Sequence, residues 1–463
     1  MNKSMLLALL AVMALKAVAL DVTNTAGTLS SKITDKNISE LRVAGTMNAA
    51  DFYFITDNLR QLTSLDLKDV TVVACQLGES HYFQTNFPAD ELPAVALGGL
   101  GVTRVVLPQG LKAIGKCSLA GCDRLTTITL PPALESVGDY AFAGCVSLTQ
   151  VELPASVTTV GNGAFMRCTA LTTLTVASSS QLTQVGDMAL MDCPALQTVA
   201  LGSALQSMGA RVLAGSGLRE LNLAENRNLT TIGDWAMVQT PVEQAVLPGS
   251  LTTLGEGAFL YDTELTSIKL GGKLQTLNDY TLAGTALTGE LSLPAIKQMG
   301  DYALYNASSI SSVILPATIT WLGDSAMAGM TGMTAITTRA TSVPELGQDV
   351  WAGVHQPSVL LTVPTLSYRL YSEADQWKNF MLKNVGVLGD VNADGEVNLA
   401  DINTLIDIIL NGRADEDTMA RADVNSDGEI NVADVNTLIN IIMKGSGAST
   451  LNSPKKSRRH GKK

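Results

Sequence analysis

Asp390, Asn392, Asp394, Asn398 and Asp401 place oxygen-bearing side chains at positions 1, 3, 5, 9 and 12 of a twelve-residue stretch, with Gly395 at position 6. Thirty-three residues later Asp423, Asn425, Asp427, Asn431 and Asp434 repeat the spacing, with Gly428 at position 6. Hard oxygens at these intervals suit Ca2+, which takes six to eight of them in flexible geometry, whereas Mg2+ demands a tight octahedron. The glycine permits the sharp turn, and Glu396 and Glu429 at position 7 supply backbone carbonyls. A single acidic turn of this kind is a weak signal. Two copies at one fixed offset predict two Ca2+ sites.

Helices must hold these loops. Ile402, Leu405, Ile406 and Ile409 recur at i, i+3, i+4 and i+7, as do Val435, Leu438, Ile439 and Ile442, which predicts one amphipathic helix after each loop. Gly412 and Gly445 are expected to close them. Before Asp390 the segment 384–389 is too short and glycine-rich for an incoming helix, and position 12 is Asp where Glu is usual. Tandem half-EF-hands with Asp at position 12 resemble a type I dockerin module, over residues 389–445. The resemblance implies Ca2+-dependent folding and docking onto a cohesin-type partner, as in assemblies of polysaccharide-degrading enzymes. Positions 10 and 11, where well-known dockerins carry a hydroxyl pair for the partner, are Leu399-Ala400 and Val432-Ala433 here. These four are candidate partner contacts, of different chemistry. Residues 389–445 hold twelve acids against Arg413, Arg421 and Lys444, a balance of −9 in a chain whose net charge is −12.

Most of the chain is a repeat. Leu125-x-x-Ile128-x-Leu130-Pro131, followed by Gly138, Ala141-Phe142 and Cys145, returns as Leu148-x-x-Val151-x-Leu153-Pro154, Gly161, Ala164-Phe165 and Cys168. Marker glycines recur from Gly115 to Gly347 in steps of 22–25 residues, with Asn278 in place of one. A period of that length with L-x-x-I-x-L means a leucine-rich-repeat solenoid, here of about eleven coils. Apolar residues alternating along a short strand turn Thr127 and Thr129 outward. The marker glycine suits a corner where a side chain would clash or where φ is positive. One coil cannot bury its own apolar face, so stability comes from stacked neighbours.

Two columns hold chemistry. Cys122, Cys145, Cys168 and Cys193 each follow a marker by seven residues. Disulfides between coils and a buried ladder of reduced thiols both fit that spacing, and the small hydrophobic character of free cysteine favours the ladder. Ser216, Thr240, Asp262 and Thr285 continue the column, and the Asp predicts weaker burial there. Two residues after a marker stand Tyr140, Trp235, Tyr280 and Tyr302. Such rings can stack on a sugar or insert into a partner, or else pack between coils.

The coils resemble the BspA-like class of bacterial leucine-rich-repeat surface proteins, over residues 90–380. Gly27 to Leu67 resembles the cap before such repeats, and Tyr371, Trp377 and Phe380 their closing coil. The resemblance implies a secreted or surface-exposed protein used for adhesion or partner binding. Lys3, the apolar Met5–Leu15 and Ala17-Val18-Ala19 form a signal-peptide pattern, too short to be a comfortable membrane anchor. No later stretch is apolar enough to span a bilayer. The expected organisation is a signal peptide over 1–19, a cap over 20–90, repeats with a closing coil over 91–384, a calcium module over 385–445 and a basic disordered tail over 446–463.

The fold class expected is a mainly β, α/β-type leucine-rich-repeat solenoid followed by a small all-α tandem half-EF-hand domain. An acidic chain is no general nucleic-acid binder, because counterion release needs a basic surface. Lys455, Lys456, Arg458, Arg459, Lys462 and Lys463 in the tail are the exception. Only three histidines, His81, His355 and His460, leave little for a triad or a zinc site. A non-catalytic interaction protein is therefore expected, with a cohesin-type partner. The alternatives are a free adhesin for host or matrix proteins whose calcium module is only structural, a glycan ligand for the solenoid, and, more weakly, a polysaccharide hydrolase component.

Overall fold

The computed structural model describes residues 18–447 apart from 82–83, 178, 365–366, 385–387, 393–395, 413, 415 and 426. Residues 1–17 of the expected signal peptide, Asp394 with Gly395, and the basic tail beyond 447 lie outside the described residues. The chain forms two compact units. One comprises residues up to 311 with 321–333 and 345–354; the other comprises 312–320, 334–344 and 355 onward.

The first unit is a parallel β-solenoid. Each repeat contributes one strand at its L-x-x-I-x-L segment and a two-residue strand just before its marker glycine. Gln150–Leu153 pairs in register with Thr173–Val176, Val151 against Leu174. Val151 and Leu153 are buried while Gln150 and Glu152 face out, the alternation that a half-buried strand requires. The short strands make a second ladder, Ser136 beside Thr159, Thr159 beside Gln184 and Gln184 beside Ser207. Between marker glycine and next strand the chain runs through turns, so among the described residues no α-helix occurs within these coils.

About fifteen turns are present where the glycines predict about eleven. The difference lies at the ends. Ala19–Asn24, Glu40–Met47 and Ser64–Val72 join the first ladder, Ser64 pairing with Arg104, without any marker glycine. In the second unit Leu360–Val363 and Met381–Asn384 pair with each other in parallel, again without a marker glycine. The cap turns on Asp51, whose buried carboxylate accepts from the N–H groups of Gly27, Leu29 and Asn48 at 2.6, 2.9 and 3.1 Å. It also completes the capping box of the Ala49–Asn58 helix.

The marker glycines answer the question their spacing raised. None from Gly115 to Gly347 has positive φ; what they need is room. Each packs on the coil before, and at most of them the residue after the preceding marker carries a carboxylate or amide that grips the backbone. Asp139 Oδ1 accepts from Asn162 N–H at 2.8 Å, Asn162 Oδ1 from Asp187 N–H at 2.8 Å, and Asp187 Oδ1 from Ala210 N–H at 2.8 Å. This ladder resumes at Asp234, Asp279, Asp301 and Asp324. A Cβ on Gly209 would stand 2.4 Å from the Asp187 nitrogen. Gly209→Ala should therefore destabilise the solenoid by about 1–3 kcal/mol, as overpacking against backbone does. Gly249→Ala, where a Cβ meets nothing within 4 Å, should leave the calorimetric transition in place.

The core is a stack of like side chains. Phe142 and Phe165 are fully buried and lie 5.2 Å apart within 3° of parallel. Coils that carry Leu190 or Met327 at that position bury them as well. In the second unit the closing coil buries Tyr371 and Trp377, packed edge to face at 5.3 Å. Tyr371 Oη meets Thr338 Oγ1 at 3.2 Å, and Trp377 Nε1–H donates to Pro344 O at 3.3 Å. The polar ends of these two buried rings thus find partners, as burial demands. Among the described residues no helix is long and apolar enough to cross a membrane.

Candidate calcium module and solenoid columns

Each twelve-residue loop runs directly into its helix, and the same residues serve both. Asn398 caps the Leu399–Asn411 helix, its side chain accepting from Ala400 N–H at 2.8 Å. Asp401 at the third helical position reaches back, Oδ2 accepting from Asn398 N–H at 2.8 Å while Oδ1 accepts from Asn392 N–H at 3.1 Å. The second loop repeats this geometry. Asn431 accepts from Ala433 N–H at 2.8 Å, and Asp434 accepts from Asn431 N–H at 2.9 Å and Asn425 N–H at 3.1 Å. Positions 9 and 12 are thus a capping box as well as candidate ligand positions, which suits the short side chain of Asp at 12.

Asp423 ties the front of the second loop. Its Oδ1 accepts from Asp427 N–H at 3.1 Å and its Oδ2 from Gly428 N–H at 3.0 Å, and Gly428 has φ +89°, the left-handed turn expected at position 6. Asp427 accepts from Glu429 N–H at 2.9 Å and from Asn425 Nδ2 at 2.7 Å. In the first loop Asp390 is buried and Glu396 exposed, and Asp394 lies outside the described residues. Among the described residues no three acidic, histidine or cysteine side chains draw together as a ready metal cluster. The donor set is nonetheless all oxygen, part carboxylate and part amide. Asp401 and Asp434 are fully buried, and each accepts from two backbone N–H groups. A buried carboxylate so partnered keeps lone pairs for a cation, and a cation offsets its desolvation.

A shared core joins the halves: Val391, Leu405, Ile408, Ala422, Val424 and Leu438, flanked by Ile402, Ile409, Val435 and Ile442. Two expectations need correction. Ile406 and Ile439, placed on the core face by periodicity, are 40% and 37% exposed; Ile408 is buried instead. Gly412 does cap its helix with φ +63°, but the second helix passes Gly445 and ends at Gly447, so helix occupies the first two positions of the expected tail. Among the described residues no incoming helix precedes Asp390. Gly389, at φ +92°, donates its N–H to Arg421 O at 3.1 Å. The seven-residue helix Glu416–Ala422 before the second loop has no clear periodic signal and was not expected.

The candidate partner positions are open. Leu399 and Leu410 are 70% and 77% exposed, and Val432 and Met443, their mates 33 residues on, 64% and 69%. Ala400 and Ala433 are exposed too. Leu399, Ile406 and Leu410 follow i, i+7, i+11 and so share one helix face, as do Val432, Ile439 and Met443.

In the solenoid the cysteine column is a ladder of free, buried thiols. Cys122, Cys145, Cys168 and Cys193 donate to Leu97 O, Leu119 O, Phe142 O and Phe165 O at 3.1–3.2 Å. Burial pushes Cys122 and Cys193 up to about 12, so they are poor nucleophiles. Asp262 overturns the expectation of weaker burial: it is fully buried, and desolvation raises its carboxyl to about 8. The aromatic column is half-buried between coils. Tyr140, Trp235, Tyr280 and Tyr302 all have φ between +55° and +58°. The first two cover Gly163 and Gly257 of the next coil, where any Cβ would strike the ring; the last two stack on each other.

Comparison with known proteins agrees with both parts. Residues 92–219, 183–295 and 290–367 match the family model of the BspA type leucine-rich-repeat region, and residues 388–443 match the dockerin type I domain. Both are non-catalytic in kind, and dockerin type I domains bind calcium. A leucine-rich-repeat protein from Bacteroides ovatus is 19% identical, with a TM-score of 0.51 over 79% of this chain and 92% of its own. That likeness is one of fold. The pneumococcal vaccine antigen PcpA is 16% identical over 67% of this chain and 87% of its own, with a TM-score of 0.38. No curated protein matches the chain.

Proposed function

The chain belongs to the BspA-type leucine-rich-repeat family and carries a dockerin type I module, and from that premise we propose that it is a secreted or surface-exposed interaction protein whose module docks onto a cohesin-type partner in a Ca2+-dependent way. The solenoid presents a binding surface, and the module joins it to an assembly of polysaccharide-degrading proteins. Secretion rests on the signal-peptide pattern of residues 1–19.

Two Ca2+ ions are held, one by Asp390, Asn392, Asp394, Asn398, Asp401 and the Glu396 carbonyl, the other by Asp423, Asn425, Asp427, Asn431, Asp434 and the Glu429 carbonyl. The ion neutralises carboxylates that otherwise repel, so binding energy becomes folding energy. The chain's own groups do the rest: the capping boxes fix each helix to its loop, and the helices carry the docking residues.

The observation that carries this reading is the pair of exposed apolar faces, Leu399/Ile406/Leu410 and Val432/Ile439/Met443, repeated at the offset of the loops. Exposed apolar side chains held on a rigid element mark an interface. Because Leu399-Ala400 and Val432-Ala433 stand where well-known dockerins carry a hydroxyl pair, the partner should offer an apolar surface. Pseudo-twofold repetition gives either face the chance to dock. Full-length protein immobilised with and without chelator should capture a bacterial secreted partner only when Ca2+ is present. L399D/L410D alone should keep capture, as should V432D/M443D alone, while the fourfold variant should lose it. Capture of host or matrix proteins alone, indifferent to chelator, would support the adhesin instead.

A further inference from the structure

Four of the nine tyrosines, Tyr261, Tyr280, Tyr302 and Tyr305, fall on the corner that follows the marker position in three adjacent coils, and Trp235 stands on the same corner one coil earlier. Tyr280 and Tyr302 stack at 4.9 Å within 5° of parallel, and Tyr305 meets Tyr302 edge-on at 5.5 Å. Tyr261, on Gly284, is 56% exposed. The rings alternate with acids. Asp234, Glu256, Asp279, Asp301 and Asp324 occupy the first corner position of successive coils, and no Lys or Arg occurs on these five corners. Asp279 and Asp301 each spend Oδ1 on the next coil's N–H, at 2.8 Å, and keep acceptor capacity on the second oxygen. Burial raises the Tyr280 hydroxyl pKa, and Tyr302, Asp279, Asp301 and Glu256 raise it further; no basic group opposes them.

We propose that this corner, from Trp235 to Tyr305, is a docking surface for an arginine-rich segment of a protein partner. A guanidinium stacks on a tyrosine or tryptophan ring while its N–H groups reach a carboxylate, and both halves of that site recur here coil after coil. Trp and Tyr are also the residues that anchor interfaces. A neutral glycan would use the rings but gain nothing from an unbroken row of negative charge. That charge favours the cationic occupant.

The test uses the full chain in millimolar Ca2+, so that the acidic loops of the module are engaged, with labelled oligo-arginine and oligo-lysine peptides and a neutral oligosaccharide. Two double variants probe the corner, and other coils already hold their replacements. Y280S/Y302S copies Ser325 at the same position, and D279N/D301N copies Asn162, which makes the same backbone hydrogen bond. Oligo-arginine should bind saturably, more weakly as salt rises and more tightly than oligo-lysine. Each double variant should weaken it about tenfold or more with its thermal transition unchanged. Unaltered affinity in both variants, no saturable binding by the parent chain, or binding of the oligosaccharide in place of the peptide would overturn the proposal.

Discussion

Asp434→Ala should reduce the calcium stoichiometry of the full chain from two to one by titration calorimetry, and Asp401→Ala should do the same at the other loop. Each substitution removes three things at once: a proposed ligand, the acceptor for two loop N–H groups, and half of a capping box. Lost caps cost about 1 kcal/mol each. The larger loss is the linkage between metal and folding, about 2.7 kcal/mol at a hundredfold excess of Ca2+ over Kd. A module in which the described core holds six buried apolar residues has little stability to spare, so the thermal transition of the module should fall well below that of the solenoid. Partner capture should go with it. The double variant should bind no Ca2+ and leave the solenoid transition where it was. Two ions bound by D434A would refute the assignment of that loop.

Asn at position 434 separates the roles. It can still accept one of the two N–H groups but brings no charge, so D434N should keep more helix than D434A while binding Ca2+ scarcely better. If both variants lose calcium and only Ala loses helix, the carboxylate acts mainly on the metal. If both lose helix equally, the metal is what holds the cap in place.

Spacing alone made most of this legible. A 22–25-residue glycine period and an alternating strand pattern each reflect a short-range geometric demand and survive in the fold, and the spacing of the loop residues returns as two matching capping arrangements. What stayed hidden depends on which neighbour a residue meets. Gly209 could have been a positive-φ corner or a close contact, and only the Asp187 carboxylate pressed against it decides. The acid that follows most markers carries no local sign of its role, because its partner is one backbone N–H in the next coil. Ile406 and Ile408 both lie on plausible apolar arcs of one helix, and the packing of the second helix, not the period, buries one and exposes the other. Tyr140 and Gly163 are 23 residues apart, and nothing local ties the ring to the glycine beneath it.

Asp262 is the residue at which the repeat's own logic was set aside, and replacing it should stabilise the protein. Its column holds cysteine, serine and threonine in the coils around it, and it is as deeply buried as they are. Oδ1 accepts from Thr240 N–H at 2.9 Å and Oδ2 from the Thr240 hydroxyl at 3.2 Å, which recovers only part of the lost hydration. Burial therefore holds the carboxyl up at about 8, while in the unfolded chain it ionises near its ordinary value of about 4. Below pH ~4 both states keep the proton and the residue costs nothing by this route. Between ~4 and ~8 the unfolded chain releases the proton and the folded one does not, so stability falls as pH rises, by up to about 1.4 kcal/mol per pH unit, and levels off above ~8. Asp262→Asn matches the protonated acid in shape, keeps the Thr240 N–H bond, and can donate from Nδ2 to the Thr240 hydroxyl. It should melt with the parent protein near pH 4.5 and above it at pH 8, with a gain on the order of 3–4 kcal/mol at pH 7. Because the other carboxylates titrate alike in both proteins, the difference between the two melting curves isolates this one group. A gap that fails to open between pH 4.5 and pH 8 would mean that Asp262 ionises in the folded core at its ordinary pKa.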